Sequence, residues 1–582
     1  VVVKLASDTT LLIEVAETPS ISASLAVHAV RARLLKATQK STDHLPPIRN
    51  LQLGYCSVLV DLDPLSGPYG QSTEEQFQNY LTKSITFSED SPKNVIEIPV
   101  AYGGPNGEDL TIIAEAVNKS ESEIIGLHSS PEYLVSFIGF SPGFPYLLGL
   151  PPELHTKRKG SPRTRVPAGS VAIAANQAGI YPSVTSGGWN LIGRTSFKLF
   201  DPTSYPPTAL QPGDRVRFKP IKSDLNAPLA AANSQQPTPS YRNDRSNSSG
   251  DQPRACDDSD SISPTCMTIL ELPQGSSVQD QGRFRLADLG ISPGGAADLV
   301  AHSIGQKLVG NTISAASLEV IAGRSLIRFE KDTWVAVTGA AVDPKIDGLP
   351  IKMWTALPVC AGQMLELNEP ATGFRSYVSV HGGIGGPLLL NSRGSHTTTG
   401  FGGPFGAKYK PLEPLDSLPA GSCSEMKPTF RRANSKLAEF YSEFSVLRII
   451  PGLQFTWFDA LSVSRLEESE FTVTSDIDRS GVRLSGSPIP RKPEFSSLEL
   501  VSEGVTQGSI QITSNGQPVF LYCEHPITGG YPKIATVIRA DLFKLGQLHP
   551  GAKIRFQWVS VDEAWTANQQ VYSLMEASID EF

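Results

Sequence analysis

The chain has 582 residues, 40% of them hydrophobic and 19% charged, with a formal net charge of −8. That length implies several domains, and the mild negative charge excludes a global attraction to nucleic acid or anionic membranes. Gly (50) and Pro (46) are enriched, which favours turn-rich β structure over a helical protein. The six cysteines form no C-x-x-C pair, so neither a disulfide scaffold nor a zinc ribbon is expected. No apolar run is long enough for a membrane span and the first residues lack a signal-peptide layout, so the expected location is cytoplasmic.

Residues 1–95 read as a small α+β domain. Ser24 is placed to cap a helix carrying Leu25, Ala29, Ala32 and Leu35, and 55–62 reads as a strand. Ser72 and Glu75 have capping-box spacing ahead of a helix with Phe77 and Leu81. A further strand is expected over 94–103, and 96–221 reads as a β domain. Residues 222–265 are dominated by Ser, Asn, Asp, Pro and Gln and read as a flexible linker, with Cys256 and Cys266 as free thiols near its end. Beyond it, 266–445 and 446–582 read as two more β domains, with one helix over 296–309.

The two halves share landmarks in the same order. PAGSVAI (167–173) resembles TQGSIQI (506–512), GGW (187–189) resembles GGY (529–531), and LQPGDRVRF (210–218) resembles LHPGAKIRF (548–556). Three matches in order point to one related β domain in each half. AGQMLEL (361–367) reads as a weaker third copy, hinting at another barrel.

GFSPG (139–143) fits the G-x-S-x-G pattern, but Pro142 has no N–H for an oxyanion hole, so a serine nucleophile is rejected. No Walker A pattern or metal-binding histidine spacing occurs. The glycine runs 382–386 and 400–406 read first as tight turns. The basic stretch 157–165 offers Arg163 and Arg165 on alternate positions, either as a solvated loop or as an anion clamp. Asp478, Arg479 and Arg483 form a second polar group, with Asp476 beside them. His525, Thr528, Gly529, Gly530, Tyr531 and Lys533 combine a base, a hydroxyl, a glycine turn and a cation within nine residues. Asp280, Arg283 and Asp298 stand near the start of the second half.

GFSPGFPYLLGLP, PRTRVPAGSVAIAANQAGIYP and GGWNLIGRT resemble the KipI-like (allophanate hydrolase subunit 1) domain. VQDQGRFRLADLGISPGGAAD, DRSGVRL and TGGYPKIATVI resemble the KipA-like (allophanate hydrolase subunit 2) domain. The resemblance implies tandem cyclophilin-like β barrels and a correspondence to the B and C subunits of ATP-dependent 5-oxoprolinase. It implies ATP with Mg²⁺ as cofactors, 5-oxoproline or a related lactam or urea as substrate, and a separate LamB/YcsF-like A subunit as partner. Self-association is left open, and neither nucleic acid nor membrane is expected as a partner. Asp280, Asp298, Asp478, His525, Thr528 and Lys533 would be catalytic. His128, Arg163, Arg165, Gln177, Tyr181, Arg194, Arg283, Arg479, Arg483 and Gly529 to Tyr531 would bind substrate or anions. The same modules form the carboxyltransferase of urea carboxylase, but in the opposite order and with a biotin carrier that is not seen here, so no biotin is expected on this chain. A KipI/KipA-like regulatory binding protein is the third reading. The chain departs from the family pattern at Gln281, within 391–403, and at Glu524 and Pro526.

Overall fold

The computed structural model describes residues 1–39, 45–82, 95–222, 256–257, 264–422, 426–441, 444–496, 498–577 and 579–581. The linker read over 222–265 lies almost entirely outside them. Its Cys256-Asp257 pair bridges Leu388–Leu389. Cys266 is not in a loop: it is buried in the strand Thr265–Glu271.

The chain opens with a four-stranded antiparallel sheet in the order Val2–Ser7, Thr10–Glu14, Ser57–Leu62, Ile48–Leu53. Helices α1 (Ile21–Gln39) and α2 (Gln71–Thr82) accompany it. Ala23, Val27, Val30 and Leu34 recur at helical spacing on α1 and are buried in the shared core. The cap of α1 is Ser20, whose Oγ accepts the Ala23 N–H at 3.0 Å. Ser24 lies inside the helix, buried, and bonds Ser136 Oγ at 2.9 Å. Ser72 likewise falls inside α2, so the expected capping box does not form there. Both expectations place the helix start too late in the sequence.

Two closed seven-stranded barrels follow. The first comprises β1 (Val95–Tyr102), β2 (Tyr133–Ile138), β3 (Pro145–Leu148), β4 (Ser170–Ala174), β5 (Gln177–Ile180), β6 (Asn190–Arg194) and β7 (Arg215–Pro220). The second comprises β8 (Val446–Pro451), β9 (Phe471–Ile477), β10 (Gly481–Ser485), β11 (Ser509–Ile512), β12 (Pro518–Leu521), β13 (Lys533–Val537) and β14 (Lys553–Trp558). Around each barrel the neighbours run first, sixth, fourth, fifth, third, second, seventh. In each, the seventh strand closes the barrel by pairing parallel to the first. The repeated landmarks fall on equivalent places: before and along β4 and β11, before β6 and β13, and leading into β7 and β14.

Between the barrels in sequence, two sheets of six and five strands share one core built from Ile269, Leu318, Ile327, Val337 and Val378. The strand of the third repeat, Met364–Leu367, belongs to the six-stranded sheet. That sheet is open, so among the described residues a two-sheet domain stands where a further barrel is expected. Helix α3 (Leu299–Leu308) lies against the five-stranded sheet, and α4 (Val561–Ala577) shares a core with it.

The two halves meet within one chain. Arg31 Nε donates to Asp288 Oδ2 at 2.9 Å, and the Arg285 N–H reaches Asn50 Oδ1 at 2.6 Å. Gly143 N donates to Leu289 O at 3.2 Å, beside a bridge between Ile138 and Leu289. Thr536 Oγ1 donates to Ala6 O at 3.2 Å, and Asn568 Nδ2 to Pro64 O at 2.8 Å.

Candidate active site between the halves

A cavity of about 120 Å³ opens where the N-terminal sheet, the two-sheet domain, the second barrel and α4 converge. Its polar wall includes Asp8, Asn50, Gln52 and Asp61 from the first half. Gln281, Thr506, Gln507, His525 and Arg539 face it from the second. The volume is well below the ~300–1,000 Å³ typical of clefts for drug-sized ligands. It suits a compact metabolite.

Asp8 sits at the tip of the first hairpin, a place normally given to solvent, yet is only 5% exposed. Its Oδ2 accepts the Arg539 N–H at 2.9 Å. Burial pushes the carboxyl up to about 6, against the opposing pull of Arg539. His525 donates Nδ1–H to Pro526 O at 2.8 Å, which leaves Nε2 as the basic nitrogen. Burial pulls its pKa down to about 4, so the ring is neutral at pH 7. Arg539 is partly exposed, and Tyr572, Asp61 and Asp8 together hold it charged against desolvation.

Behind the cavity runs a buried ionic network. Arg479 Nε donates to Glu524 Oε1 at 2.5 Å, Nη1 to Glu319 Oε1 at 2.7 Å, and Nη2 to Gly295 O. Glu319 also accepts Ala297 N–H at 2.9 Å and Tyr377 O–H at 2.8 Å. Glu524 accepts Thr398 N–H at 2.8 Å and is held down to about 2, Arg479 being the strongest influence against its burial. Arg479 is therefore already spent on the chain's own carboxylates.

Asp280 accepts Ser392 Oγ–H at 2.7 Å and backbone N–H groups of Gly282, Arg393 and Gly394 at 2.8, 2.7 and 3.2 Å. It pins the 391–394 turn. Asp298 caps α3 through Ala301 N–H at 2.9 Å and also accepts Tyr441 O–H at 2.8 Å and Gln547 Nε2–H at 2.7 Å. Burial pushes it up to about 6. Arg283 donates Nε to Leu389 O at 3.3 Å and Nη2 to Gly394 O at 2.5 Å, and lies 4.9 Å over the Phe401 ring. Its Nη1 has no hydrogen-bond partner among the described residues.

A third cluster joins the barrels. Thr528 Oγ1 accepts the Phe140 N–H at 3.1 Å. Lys533 Nζ lies 2.7 Å from Glu503 Oε1, which also accepts Gln454 Nε2–H at 2.8 Å. Gly529 pairs with Glu503, Gly530 follows it, and Tyr531 is half exposed.

The remaining residues marked in the sequence are dispersed. His128 is fully buried, stacks on Phe218 at 4.5 Å, meets Tyr102 Oη at 2.8 Å and is pulled down to about 3 by burial. It is a core histidine of the first barrel. Arg163 and Lys159 both donate to Asp109 Oδ1 at 2.7 Å, so the expected anion clamp is filled by an internal carboxylate. Arg165 is exposed, and Arg194 Nε is tied to Ala168 O at 3.0 Å. Gln177 is buried on β5, and the Tyr181 ring packs against Phe144 at 5.1 Å. Asp478 is exposed and closes its own turn through Ser480 N–H at 2.8 Å. Arg483 pairs with Asp476 at 3.6 Å in solvent. Of all these, only His525 borders the cavity. Asp8, Asn50, Gln52, Asp61 and Arg539 were unmarked, because their grouping depends on how the halves dock. Gln281, a departure from the family pattern, is also in the wall.

Known proteins share this architecture. Residues 1–210 match the carboxyltransferase domain, subdomain C and D, and residues 289–558 match the carboxyltransferase domain, subdomain A and B. The chain belongs to the carboxyltransferase-domain family and carries both of its parts. It is 34% identical to the C subunit of the Escherichia coli (strain K12) 5-oxoprolinase over 306 residues, covering 52% of this chain and 94% of that protein. It is 51% identical to the B subunit of the Escherichia coli O157:H7 5-oxoprolinase over 151 residues, covering 26% of this chain and 68% of that one. The crystal structure of TTHA0988 superposes with a TM-score of 0.75 at 27% identity, covering 94% of this chain and 99% of that chain.

Proposed function

We propose that this chain is a fused B and C component of an ATP-dependent 5-oxoprolinase. It activates the lactam of 5-oxo-L-proline for opening to L-glutamate, in the cytoplasm, with a separate LamB/YcsF-like A subunit. One observation carries the reading: relatives of two subunits of the same enzyme stand in one chain, and their two regions close a single polar cavity.

Amide resonance makes the lactam carbonyl a poor electrophile. Phosphorylating its oxygen converts it to an imidate-type centre that water attacks readily. ATP supplies that phosphoryl group. In this reading the cavity takes the small substrate. Among the described residues no group of three or more His, Cys, Asp or Glu side chains is placed to hold a metal. Mg²⁺ in this reading arrives with the nucleotide phosphates, as it commonly does. The chain's own contribution is binding and orientation in a site shielded from water.

The test is ATP hydrolysis by the purified chain, with and without 5-oxoproline and with and without a LamB/YcsF-like partner, alongside glutamate release. Stimulation by 5-oxoproline, with glutamate appearing only when the partner is present, is the expected result. No stimulation under any combination overturns the reading, and carboxyl transfer from biotin to a urea-type nitrogen is then the reaction to assay.

A further inference from the structure

We propose that the cavity between the halves is the binding site for a small amide that carries a carboxylate, with Asp8 and His525 on the amide and Arg539 opposite the carboxylate. The proposal rests on the 5-oxoprolinase reading and deepens it, by assigning the substrate to residues of both halves.

The hairpin tip does not need the Asp8 carboxyl for its own shape. Ser7 Oγ already donates to Thr10 Oγ1 at 2.8 Å and accepts the Thr9 N–H at 3.2 Å. A carboxyl taken from water is costly unless it gains partners. The hydrogen bond that Asp8 accepts from the other half comes from one backbone N–H, that of Arg539. Such a group, facing a polar cavity, keeps capacity for a ligand hydrogen bond.

His525 approaches from the second barrel. With Nδ1–H committed to Pro526 O, Nε2 can only accept, and an amide N–H is its natural complement. A protonated Asp8 complements the other end of the same amide by donating to its carbonyl oxygen. Burial favours that protonated form below about pH 6. Arg539 brings a partly exposed positive charge to the wall, where Asp61 also acts on it, and guanidinium is the usual partner of a carboxylate. Asn50, Gln52 and Gln507 add polar side chains without adding charge. A five-membered lactam with one carboxylate matches both this chemistry and the size of the space. Neither half alone holds the set, because Asp8 and His525 come from opposite ends of the chain.

The experiment is calorimetric titration of the full chain with 5-oxoproline, without nucleotide or partner protein. Wild type, Asp8→Ala, His525→Phe and Ala540→Leu are compared, with the melting temperature of each. Ala540 lines the cavity, and leucine there occupies the space directly. One molecule bound per wild-type chain is expected, with affinity at least tenfold weaker in Asp8→Ala and His525→Phe and no binding in Ala540→Leu. Melting within a few degrees of wild type in Asp8→Ala and His525→Phe keeps the loss specific, whether or not Ala540→Leu folds. If wild type binds and folded Asp8→Ala and His525→Phe bind equally well, the substrate sits elsewhere and this assignment falls while the functional reading stands. If wild type does not bind 5-oxoproline, the assignment falls, and the functional reading is decided separately by the ATP hydrolysis assay.

Discussion

Thr528 and Phe140 lie 388 positions apart, and the Thr528 hydroxyl accepts the Phe140 backbone N–H at 3.1 Å. Phe140 has φ of 61°, a left-handed conformation that is a real outlier for an aromatic residue. Its neighbours must therefore hold it there, and Thr528 supplies the hydrogen bond from the opposite barrel. Thr528→Val removes the acceptor while keeping the shape. Leaving the amide unpaired costs about 1–3 kcal/mol. Urea denaturation is expected to show that loss in Thr528→Val and near-recovery in Thr528→Ser. Equal midpoints for Thr528→Val and wild type would show that the bond does not hold the loop.

Arg479 answers two buried carboxylates at once, Glu319 at 2.7 Å and Glu524 at 2.5 Å. Removing one partner from a buried ionic group costs about 3–5 kcal/mol, because the other charge is left uncompensated. Arg479→Ala is expected to unfold far earlier than wild type. Arg479→Lys is expected to recover only part of the loss, since an ammonium cannot span both carboxylates with a planar fork. A melt of Arg479→Lys matching wild type would show that charge alone suffices.

Much of the fold is legible in the sequence because it is written locally. The paired landmarks mark two barrels of one topology, and the apolar spacing over 296–309 marks α3. The misses have physical causes. Ser24 has the chemistry of a cap, but Ser20 has it too, and only the path of the preceding chain decides between them. AGQMLEL has the turn-and-strand pattern of a barrel strand, which an open sheet shares. The site is less legible. Arg163 and Arg479 look like ligand-binding cations, and nothing local reveals that Asp109, Glu319 and Glu524 already occupy them. Asp8 reads as an ordinary turn residue until the second barrel covers it.

Four buried histidines set the acid stability. His128, His396 and His525 are pulled down to about 3, 4 and 4, and His302 is also lowered, in each case chiefly by burial. Between pH 6.5 and 4 the unfolded chain protonates these groups and the native chain does not, so stability falls as pH drops. Asp8 and Asp298, raised to about 6, act in the opposite sense, since their native carboxyls are the ones holding protons between about pH 4 and 6. His128, His396 and His525 against the two carboxyls leave a net uptake of about one proton on unfolding near pH 5, and His302 adds in the same direction. Glu524, lowered to about 2, adds to the loss below its usual range. Urea midpoints at pH 7, 6 and 5 are expected to decrease in that order, and a midpoint that rises toward pH 5 would contradict the assignment.

Lys533 is the sharpest case of a residue whose chemistry and structural role must be separated. Its ammonium lies 2.7 Å from Glu503, and the lysine is only 2% exposed. Lys533→Met strands Glu503 as a buried charge, at a cost of about 3–5 kcal/mol. Lost turnover in that variant alone would therefore say nothing about catalysis. Adding Glu503→Gln removes the stranded charge, and the neutral amide still accepts from Gln454, which now bonds Glu503 at 2.8 Å. The double variant is expected to melt near wild type. If its 5-oxoproline-dependent ATP hydrolysis also returns to within threefold of wild type, Lys533 serves the fold. If stability returns while turnover stays more than tenfold down, the ammonium acts on the substrate or its phosphoryl group.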